Sequence, residues 1–447
     1  MTLATDDIGR LLIALALLLS AAHGLGYVFA RFRQPRVIGE ILGGLLLGPT
    51  VFGALFPKFQ AVVFPANGSA PLVLDAIYQL GLLLLMFSAG AEIRATFRSG
   101  ERRTVAFVSV LGTVMPFLVG LGLLAFLDTD RSRGPAATDA SFLLVFAIAI
   151  AVTSIPVISR IMLDLGILET SFARIVLAVA VIEDVILYVL LAIALGLAAQ
   201  GSGNLYGVPA LLDLDPSGAA AVLYHVAATL AFLAISLVVG PPVYRRALRF
   251  RFNVVKRGSA IGFQLVFMFL ATAVAVFLGI VPLFGSFVAG IVVASSSTKG
   301  AARAREDIKS FSFAFFIPIY FAIVGLRLDL VRDFDPIFFL WFFVFACVAK
   351  SASVYLGARA AGESPPASTN LAIALNARGG PGIVLASVAL DAAIISETFY
   401  STLVLLAIIT SLAAGSWLEW AVRTGRPLRD EPSDPTGRRP AAEADQP

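Results

Sequence analysis

The sequence predicts an all-α polytopic membrane protein. Hydrophobic residues make up 59% of the 447 residues and charged residues 14%, and the mean hydropathy is +0.91. Soluble domains carry roughly 25% charged residues, so the composition excludes a soluble enzyme and a disordered chain. Three further patterns define the class: recurring apolar runs, paired helix breaks in two halves of the chain, and a few charges deep inside the runs.

Each apolar run predicts one transmembrane helix, because a bilayer core of about 30 Å takes about 20 apolar residues to cross. About thirteen runs of this kind occur along the chain. The stretch 258–298 carries no charge and is too long for one crossing, so residues 279–282 are expected to separate two helices. The predicted segments are 8–30, 37–55, 70–93, 104–127, 140–162, 172–199, 219–244, 258–279, 282–298, 308–326, 335–358, 368–391 and 396–422.

Positive charge alternates between the predicted loops. With the N-terminus outside, 25 of the 33 Lys and Arg residues fall inside and 6 outside, while Lys350 and Arg378 fall within helices. Loops rich in Lys and Arg stay in the cytoplasm. We therefore expect the N-terminus outside and the C-terminus inside, with an odd number of helices.

Corresponding features recur in the two halves of the chain. Gly39 and Gly44 have the spacing of Gly285 and Gly290, and each half contains one interrupted helix. The first half begins outside and the second inside, which predicts inverted repeats. The expected organisation is a membrane domain at 1–425, with repeats at about 8–200 and 258–422, a linker helix at 219–244 and a disordered tail at 426–447.

Pro156 and the run Gly379-Gly380-Pro381-Gly382 interrupt corresponding helices of the two halves. Proline frees the carbonyl four residues earlier, which is costly in hydrocarbon unless that carbonyl lines a cavity or binds a ligand. An unwound segment with Thr153 and Ser154 would offer oxygen ligands of the kind that hard monovalent cations prefer. A single proline more often only kinks a helix, but breaks in both halves indicate a binding site.

Two adjacent acids, Glu183 and Asp184, fall about 17 Å into their helix, close to the bilayer midplane. A charge at this depth costs at least about 2.5–3.5 kcal/mol on insertion scales and is functional by default. We expect Lys350 to pair with one of these acids. The structural alternative is a buried ion pair that only fixes helix packing. Arg378 is expected either to meet an acid or to neutralise the negative end of a half-helix.

The other ionisable residues within or near the spans have simpler interpretations. Glu40, Asp75 and Glu92 lie near helix ends, where interfacial hydration is expected. His23 and His225 are expected to have packing roles. One cysteine and two histidines form no metal cluster, and no Gly-rich phosphate loop follows a strand pattern, so we expect no cofactor, no bound nucleic acid and no nucleotide-binding domain.

The run Thr153-Ser154-Ile155-Pro156-Val157, together with Glu183 and Asp184, resembles the broken helix and ion-binding helix of the second monovalent cation:proton antiporter group. This group includes bacterial sodium/proton antiporters and the membrane domains of potassium efflux antiporters. Lys350 falls where electrogenic members carry a core lysine, and Arg378 with its following glycines is similar to the second broken helix. The similarity covers about residues 8–422.

The resemblance implies that Asp184 alternately binds a proton and a cation. Glu183 stands where the group usually has Asp, or Asn in electroneutral relatives, and this departure leaves the proton count open. The group's fold implies that the two broken helices cross within a core, 104–199 and 335–422, which moves against a scaffold, 8–93 and 258–326. It also implies a homodimer in the bacterial inner membrane that serves pH homeostasis.

The predicted function is therefore secondary active exchange of Na⁺ or K⁺ for H⁺, with no enzymatic reaction. Asp184, with the oxygens of Thr153 and Ser154, would hold the cation, and protonation of Asp184 would expel it. A second proton on the Lys350–Glu183 pair predicts electrogenic exchange of two protons per cation.

Two other functions stay open at this point. Sodium-coupled symport of an organic anion would also use broken helices, but it does not need two adjacent acids. An intramembrane aspartyl hydrolase needs two facing acids, whereas adjacent acids on a helix point about 100° apart.

Overall fold

The structure, a computed structural model, describes residues 4–32, 34–65, 67–92, 101–124, 129–201, 207–212, 219–250, 253–296 and 298–429. Within these residues all regular structure is helical, apart from a single bridge between Arg133 and Ile395. The structure confirms the predicted all-α class.

Nineteen α-helices are present in the described residues. A π-helical turn, Pro49–Gly53, extends α2, and a 3₁₀ turn, Asp130–Ser132, precedes α6. The helices are α1 (Thr5–Arg31), α2 (Arg36–Leu47), α3 (Pro57–Val63), α4 (Ser69–Glu92), α5 (Arg102–Leu124), α6 (Asp139–Ala151), α7 (Ile155–Asp164), α8 (Ser171–Gly201), α9 (Val208–Leu211), α10 (Ala219–Arg249), α11 (Val254–Gly258), α12 (Ala260–Phe277), α13 (Pro282–Ala294), α14 (Lys299–Ala314), α15 (Phe316–Leu326), α16 (Pro336–Ala361), α17 (Pro365–Ala374), α18 (Gly379–Asp391) and α19 (Glu397–Arg423).

Eleven helical stretches in the described residues are long and apolar enough to cross a membrane, and α6 and α13 are shorter apolar helices. Three of the eleven join consecutive elements: α2 with its π-turn, α14 with α15, and α17 with α18. The predicted separation at 279–282 is confirmed, because α12 ends at Phe277 and α13 begins at Pro282. The total of thirteen membrane helices stays a prediction.

Both predicted helix breaks are confirmed, and the two breaks meet. In the first, α6 ends at Ala151 and α7 begins at Ile155, with extended backbone at Ser154. In the second, α17 ends at Ala374 and α18 begins at Gly379. The Ser154 N–H donates to the Ala377 carbonyl at 2.7 Å, so the two broken helices cross and hydrogen-bond at their interruptions.

Glycines allow two close helix crossings. A Cβ on Gly44 of α2 would lie 1.7 Å from the carbonyl oxygen of Ala322 on α15. A Cβ on Gly290 of α13 would lie 2.1 Å from the carbonyl oxygen of Phe87 on α4. The two crossings therefore need the small residues typical of membrane helix interfaces. Gly44 and Gly290 occupy corresponding positions in the two predicted repeats. The two similar crossings support the repeat, which stays a prediction.

Two of the stretches that carry buried charges, α8 and the α17–α18 pair, lie at the centre of the bundle, whereas α16, which carries Lys350, is 28% buried in its most apolar stretch. In the most apolar stretch, 72% of residues are buried for α8 and 89% for the α17–α18 pair, against 22% for α1 and 17% for α10. The broken helices are therefore enclosed by other helices, as irregular backbone within a membrane must be.

The first residues of the predicted tail, 426–429, contact the helices, and the tail itself stays a prediction. Asn370 donates to the carbonyl oxygens of Pro427 and Leu428, and Arg429 forms an ion pair with Glu363 at 2.8 Å. Residues 426–429 thus lie against α17 and the α16–α17 connection, because Arg429 pairs with the buried Glu363. Residues 430–447 lie outside the described part of the chain.

Candidate functional site

A buried ion pair joins α8 to α16. Lys350 Nζ lies 2.8 Å from Glu183 Oε1, and both side chains are 0% exposed. The predicted pairing of Lys350 with one of the two acids is therefore confirmed, and the acid is Glu183. Thr113 of α5 also donates to Glu183 Oε1, at 3.3 Å.

The Lys350 ammonium uses all three of its N–H donors. Besides Glu183, it donates to the carbonyl oxygens of Gly112 at 2.9 Å and Ala151 at 2.7 Å. An ammonium has three donors and no acceptor, so its hydrogen-bonding capacity is filled. Four helices, α5, α6, α8 and α16, meet at this one nitrogen.

Arg378 takes the second of the two predicted roles. Its guanidinium is 1% exposed and donates to the carbonyl oxygens of Ala149 and Ile150, and to that of Ala346 at 2.8 Å. Among the described residues, no carboxylate pairs with it. Arg378 therefore neutralises the negative C-terminal end of the half-helix α6 instead of meeting an acid.

Together the two cations satisfy the end of α6. The last four carbonyls of a helix have no partner within the helix. Here the Ile148 carbonyl accepts from the Val152 N–H, the Ala149 and Ile150 carbonyls accept from Arg378, and the Ala151 carbonyl accepts from Lys350. The broken helix is thus stabilised by the same basic residues that the sequence placed at mid-membrane.

The oxygens proposed as cation ligands have different surroundings. The Thr153 hydroxyl donates to the Leu375 carbonyl at 2.6 Å, so its proton is committed to holding the two breaks together. Ser154 Oγ and Asp184 Oδ1 are buried, and neither has a hydrogen-bond partner in the described structure. Asp184 as a whole is 3% exposed.

A buried oxygen without a partner loses about 1–3 kcal/mol or more of hydration, and a charged oxygen loses more. The Asp184 carboxylate therefore needs a proton or a cation, because Lys350 is already committed to Glu183. Glu183 Oε2 is also buried without a partner. The site can therefore hold one proton or one small cation on Asp184, the acid that no basic side chain of the described residues neutralises.

Sequence reasoning missed residues that shape this site. Gly112 and Thr113 of α5 contact Lys350 and Glu183. On α19, the hydroxyls of Thr410 and Ser411 accept from the N–H groups of Arg378 and Gly379 at 3.4 and 3.1 Å. Their only sequence signal is a hydroxyl within an apolar helix, which is common in packed membrane bundles.

The remaining predicted ionisable residues divide into two groups. Asp75 lies 3.5 Å from Arg327 and Glu92 lies 2.6 Å from Lys309, both partly exposed as expected. Glu40 is different, because it is only 7% exposed and its Oε2 has no partner among the described residues. The expected interfacial hydration of Glu40 is thus wrong for that oxygen, because α2 packs this face against Gly26 of α1.

The two histidines contact neighbouring helices. His23 Nε2 lies 2.9 Å from the Ala314 carbonyl oxygen, linking α1 to α14. His225 is buried beside Gly196, where a Cβ would lie 2.6 Å from Nδ1 of the imidazole. Both contacts fit the predicted packing roles.

Two crossing broken helices, with buried acids and bases at their crossing and a surrounding bundle of apolar helices, define a membrane ion transporter. The sequence model of the family described as "Sodium/hydrogen exchanger, transmembrane" matches residues 14–424. The chain therefore belongs to the sodium/hydrogen exchanger family, a family of monovalent cation:proton antiporters.

Similar proteins agree with this assignment. The Na⁺/H⁺ antiporter NhaS4 of Synechocystis sp. is 28% identical over 417 residues, which is 91% of this chain and 96% of that protein. The K⁺/H⁺ antiporter 1 of Saccharomyces cerevisiae is 29% identical over 404 residues, which is 86% of this chain and 43% of that protein. The Na⁺/H⁺-K⁺ antiporter GerN of Bacillus cereus is 23% identical over 407 residues and covers 91% of this chain and 95% of its own length.

The fold also matches a solved structure. The sodium proton antiporter MjNhaP1 of Methanocaldococcus jannaschii superposes with a TM-score of 0.65 at 13% identity, covering 93% of this chain and 99% of that one. At this identity the likeness concerns the fold alone. The hydrolase and organic anion symporter alternatives are not favoured by these similarities.

Proposed function

We propose that this chain exchanges Na⁺ or K⁺ for H⁺ by competition of the two species at Asp184. One observation carries the proposal: Asp184 is buried with Oδ1 unpartnered, beside a Glu183 that Lys350 already neutralises. A proton and a cation cannot both occupy one uncompensated carboxylate without leaving excess charge in the membrane. Exchange follows from this exclusivity.

The charges at the crossing favour an electrogenic cycle. The charges of the four buried ionisable residues at the crossing sum to zero when all four are ionised; they are Glu183, Asp184, Lys350 and Arg378. A cation on Asp184 would leave one excess positive charge, which Lys350 removes by releasing its proton. The returning carrier has one proton on Asp184 and one on Lys350, so its four groups carry one net positive charge, whereas the cation-bound form is neutral. Two protons move for each cation, and one net charge crosses per cycle.

The distribution of Lys and Arg supports the orientation with the N-terminus outside and the C-terminus in the cytoplasm. Location in a bacterial inner membrane, a homodimeric assembly and the choice between Na⁺ and K⁺ stay predictions. Both cations use oxygen ligands, so the ligand types at Asp184, Thr153 and Ser154 suit either one.

Competition at Asp184 has a distinct kinetic signature. At pH values where Asp184 and Lys350 are both protonated before the cation arrives, we expect the KM for the cation to rise by up to about a hundredfold for each unit of falling pH, because each bound cation displaces two protons. The maximal rate at saturating cation should stay nearly constant over the same range. Proteoliposomes with an internal pH dye and stepwise additions of Li⁺, Na⁺, K⁺ and Rb⁺ measure both quantities. If a fall in pH lowered the maximal rate and left the KM for the cation unchanged, the proposal would be contradicted.

A second set of contacts lies at the opposite end of the bundle from the Arg-rich loops. Asp391, the last residue of α18, accepts from Tyr78 of α4 at 2.9 Å and from Arg327 at 2.6 Å. The Arg327 guanidinium also lies over the Tyr78 ring, 4.4 Å from its centroid. Nearby, the hydroxyls of Tyr320 and Ser387 lie 2.6 Å apart. These bonds join scaffold helices α4 and α15 to core helix α18, and we infer that they hold this side closed.

Asp391→Asn is therefore expected to favour opening on this side. It removes one charged partner from a partly exposed network, a loss of about 1 kcal/mol after solvent screening, or about a fivefold population shift. The measurement is labelling of an introduced Ser387→Cys by a membrane-impermeant thiol reagent, in a Cys347→Ala background. Labelling should quicken by about that factor.

Asp75→Asn is the matched control, because its contact with Arg327 is longer, at 3.5 Å, and its side chain is 53% exposed. It should change labelling much less. Equal labelling rates in the parent and Asp391→Asn would refute the closing role of Asp391.

A further inference from the structure

A pocket of about 600 Å³ opens at the end of the bundle where the Arg-rich loops lie. It runs between scaffold helices α1, α2 and α14 on one side and core helix α7 on the other. Four charged residues line it: Arg36, Glu40, Glu92 and Lys309. The neutral polar groups His23 and Ser159 also line it, and both have partners elsewhere.

Glu40 differs from the other acid of the pocket. Glu92 is 2.6 Å from Lys309, and the two side chains are about equally exposed, at 38% and 41%. Glu40 is 7% exposed, and its Oε2 has no hydrogen-bond partner in the described residues. The pocket therefore holds one acid that is neutralised at its rim and one deeper acid whose buried Oε2 has no hydrogen-bond partner among the described residues.

The pocket also reaches the break in the first broken helix. Val157, which lines the pocket, stands three residues after Ser154. Its side chain also packs at Gly379, where a Cβ would lie 2.3 Å from Val157 Cγ2. Since Gly379 begins α18, one wall of the pocket is formed by residues that contact the helix crossing. The pocket thus extends from the Arg-rich end to Val157, a residue that borders the helix crossing.

Helix geometry places Glu40 along this pocket. It stands one turn, about 6 Å, into α2 from Arg36, and α2 begins at the Arg-rich end. A carboxylate held in a low-dielectric wall concentrates cations near it and can raise their arrival rate by about 10–10³-fold. A carboxylate that lines the pocket at this depth also replaces part of the water that a cation loses on entering.

We propose that Glu40 is a transient binding site for a partly hydrated monovalent cation on its way between the pocket mouth and Asp184. This inference rests on the proposed function, because it needs a cation to be delivered. The Glu40 carboxylate binds the cation weakly and passes it inward, while the Glu92–Lys309 pair at the rim stays neutral. Arg36, one turn closer to the mouth, opposes cation capture.

The test is Glu40→Gln, measured in proteoliposomes of known orientation with Na⁺ or K⁺ added to one side at a time. For cation added on the pocket side, kcat/KM should fall about tenfold, which is the lower range of such electrostatic focusing. For cation added on the other side, kcat/KM should stay within about twofold. Raising ionic strength with N-methylglucamine chloride should lower the pocket-side value in the parent and not in the variant, since salt screens focusing.

Three further variants sharpen the result. Glu92→Gln combined with Lys309→Gln is the matched control and should leave the two sides equally affected, because it removes a pair whose charges already cancel. Glu40→Asp should restore most of the pocket-side kcat/KM, because the charge is kept. Arg36→Gln should raise the pocket-side kcat/KM, and this variant keeps the inference testable if Glu40→Gln does not fold.

The inference is overturned if Glu40→Gln, with parental thermal stability, lowers kcat/KM equally from both sides or from neither. Equal loss would indicate a packing role or a share in the Asp184 site. A failure of the antiport proposal would give a different result. Exchange would then be at the parental rate in an Asp184 variant, independently of the results for the Glu40 variants.

Discussion

Asp184→Asn is expected to abolish cation-driven proton movement. The amide keeps the size of the side chain but removes the uncompensated charge that the proposed mechanism requires. Leaving a buried charge unpaired costs about 3–5 kcal/mol, so a cation without this carboxylate should bind at least about a hundredfold more weakly. Proteoliposomes with an internal pH dye should show rates close to those of protein-free vesicles after a cation pulse.

Asp139→Asn provides the matched control. Asp139 opens α6 and pairs with Arg133, but its side chain is 92% exposed. This control should exchange within about twofold of the parent, because exposed ion pairs contribute about 0–1 kcal/mol. Asp184→Asn should keep its thermal stability or gain some, since it removes a buried unpaired carboxylate. Parental exchange in Asp184→Asn would overturn the assignment of the site.

Lys350→Met is expected to make exchange electroneutral and to destabilise the protein. Without Lys350, Glu183 keeps hydroxyl partners such as Thr113 but no cation beside it, and it takes up a proton that it does not release during the cycle. One proton then moves for each cation, and the rate loses its dependence on membrane potential. Breaking the buried pair should lower the free energy of unfolding by up to about 3–5 kcal/mol.

The measurement combines two readouts. Exchange is followed under a diffusion potential set by an ion that the protein does not move, and thermal unfolding is followed in detergent. Glu183→Gln combined with Lys350→Met should recover most of the lost stability, because the double variant leaves no buried charge at this position. A Lys350→Met variant that still responds to voltage as the parent does would contradict the role of Lys350 as second proton carrier.

The strongest sequence signals concerned features that break a local rule. Proline at 156 and the Gly-Gly-Pro run after Arg378 interrupt apolar segments, and both interruptions are present where predicted. A Lys in the middle of a membrane helix must find a compensating group, which made its pairing with a neighbouring acid predictable. These features depend on hydrogen bonds and charges that a membrane leaves no alternative way to satisfy.

Other features of the site depend on packing between distant segments and carry no such signal. Arg378 had two interpretations, and the choice was made by the position of the α6 carboxyl end relative to α18. Glu40 was expected at a hydrated helix end, because its depth depends on how closely α1 approaches α2. The contributions of Gly112 and Thr113 depend in the same way on where α5 passes α16.

The amino-acid sequence by itself determined that this protein spans a membrane, where its helices break, and which few charges lie at mid-depth. Those properties follow from the free energy of placing each residue type in hydrocarbon, which is local to the chain. Only the tertiary structure decided that Lys350 neutralises Glu183 and leaves Asp184 Oδ1 without a partner. That choice depends on distances between helices far apart in sequence, where a shift of a few ångströms exchanges one ion pair for another.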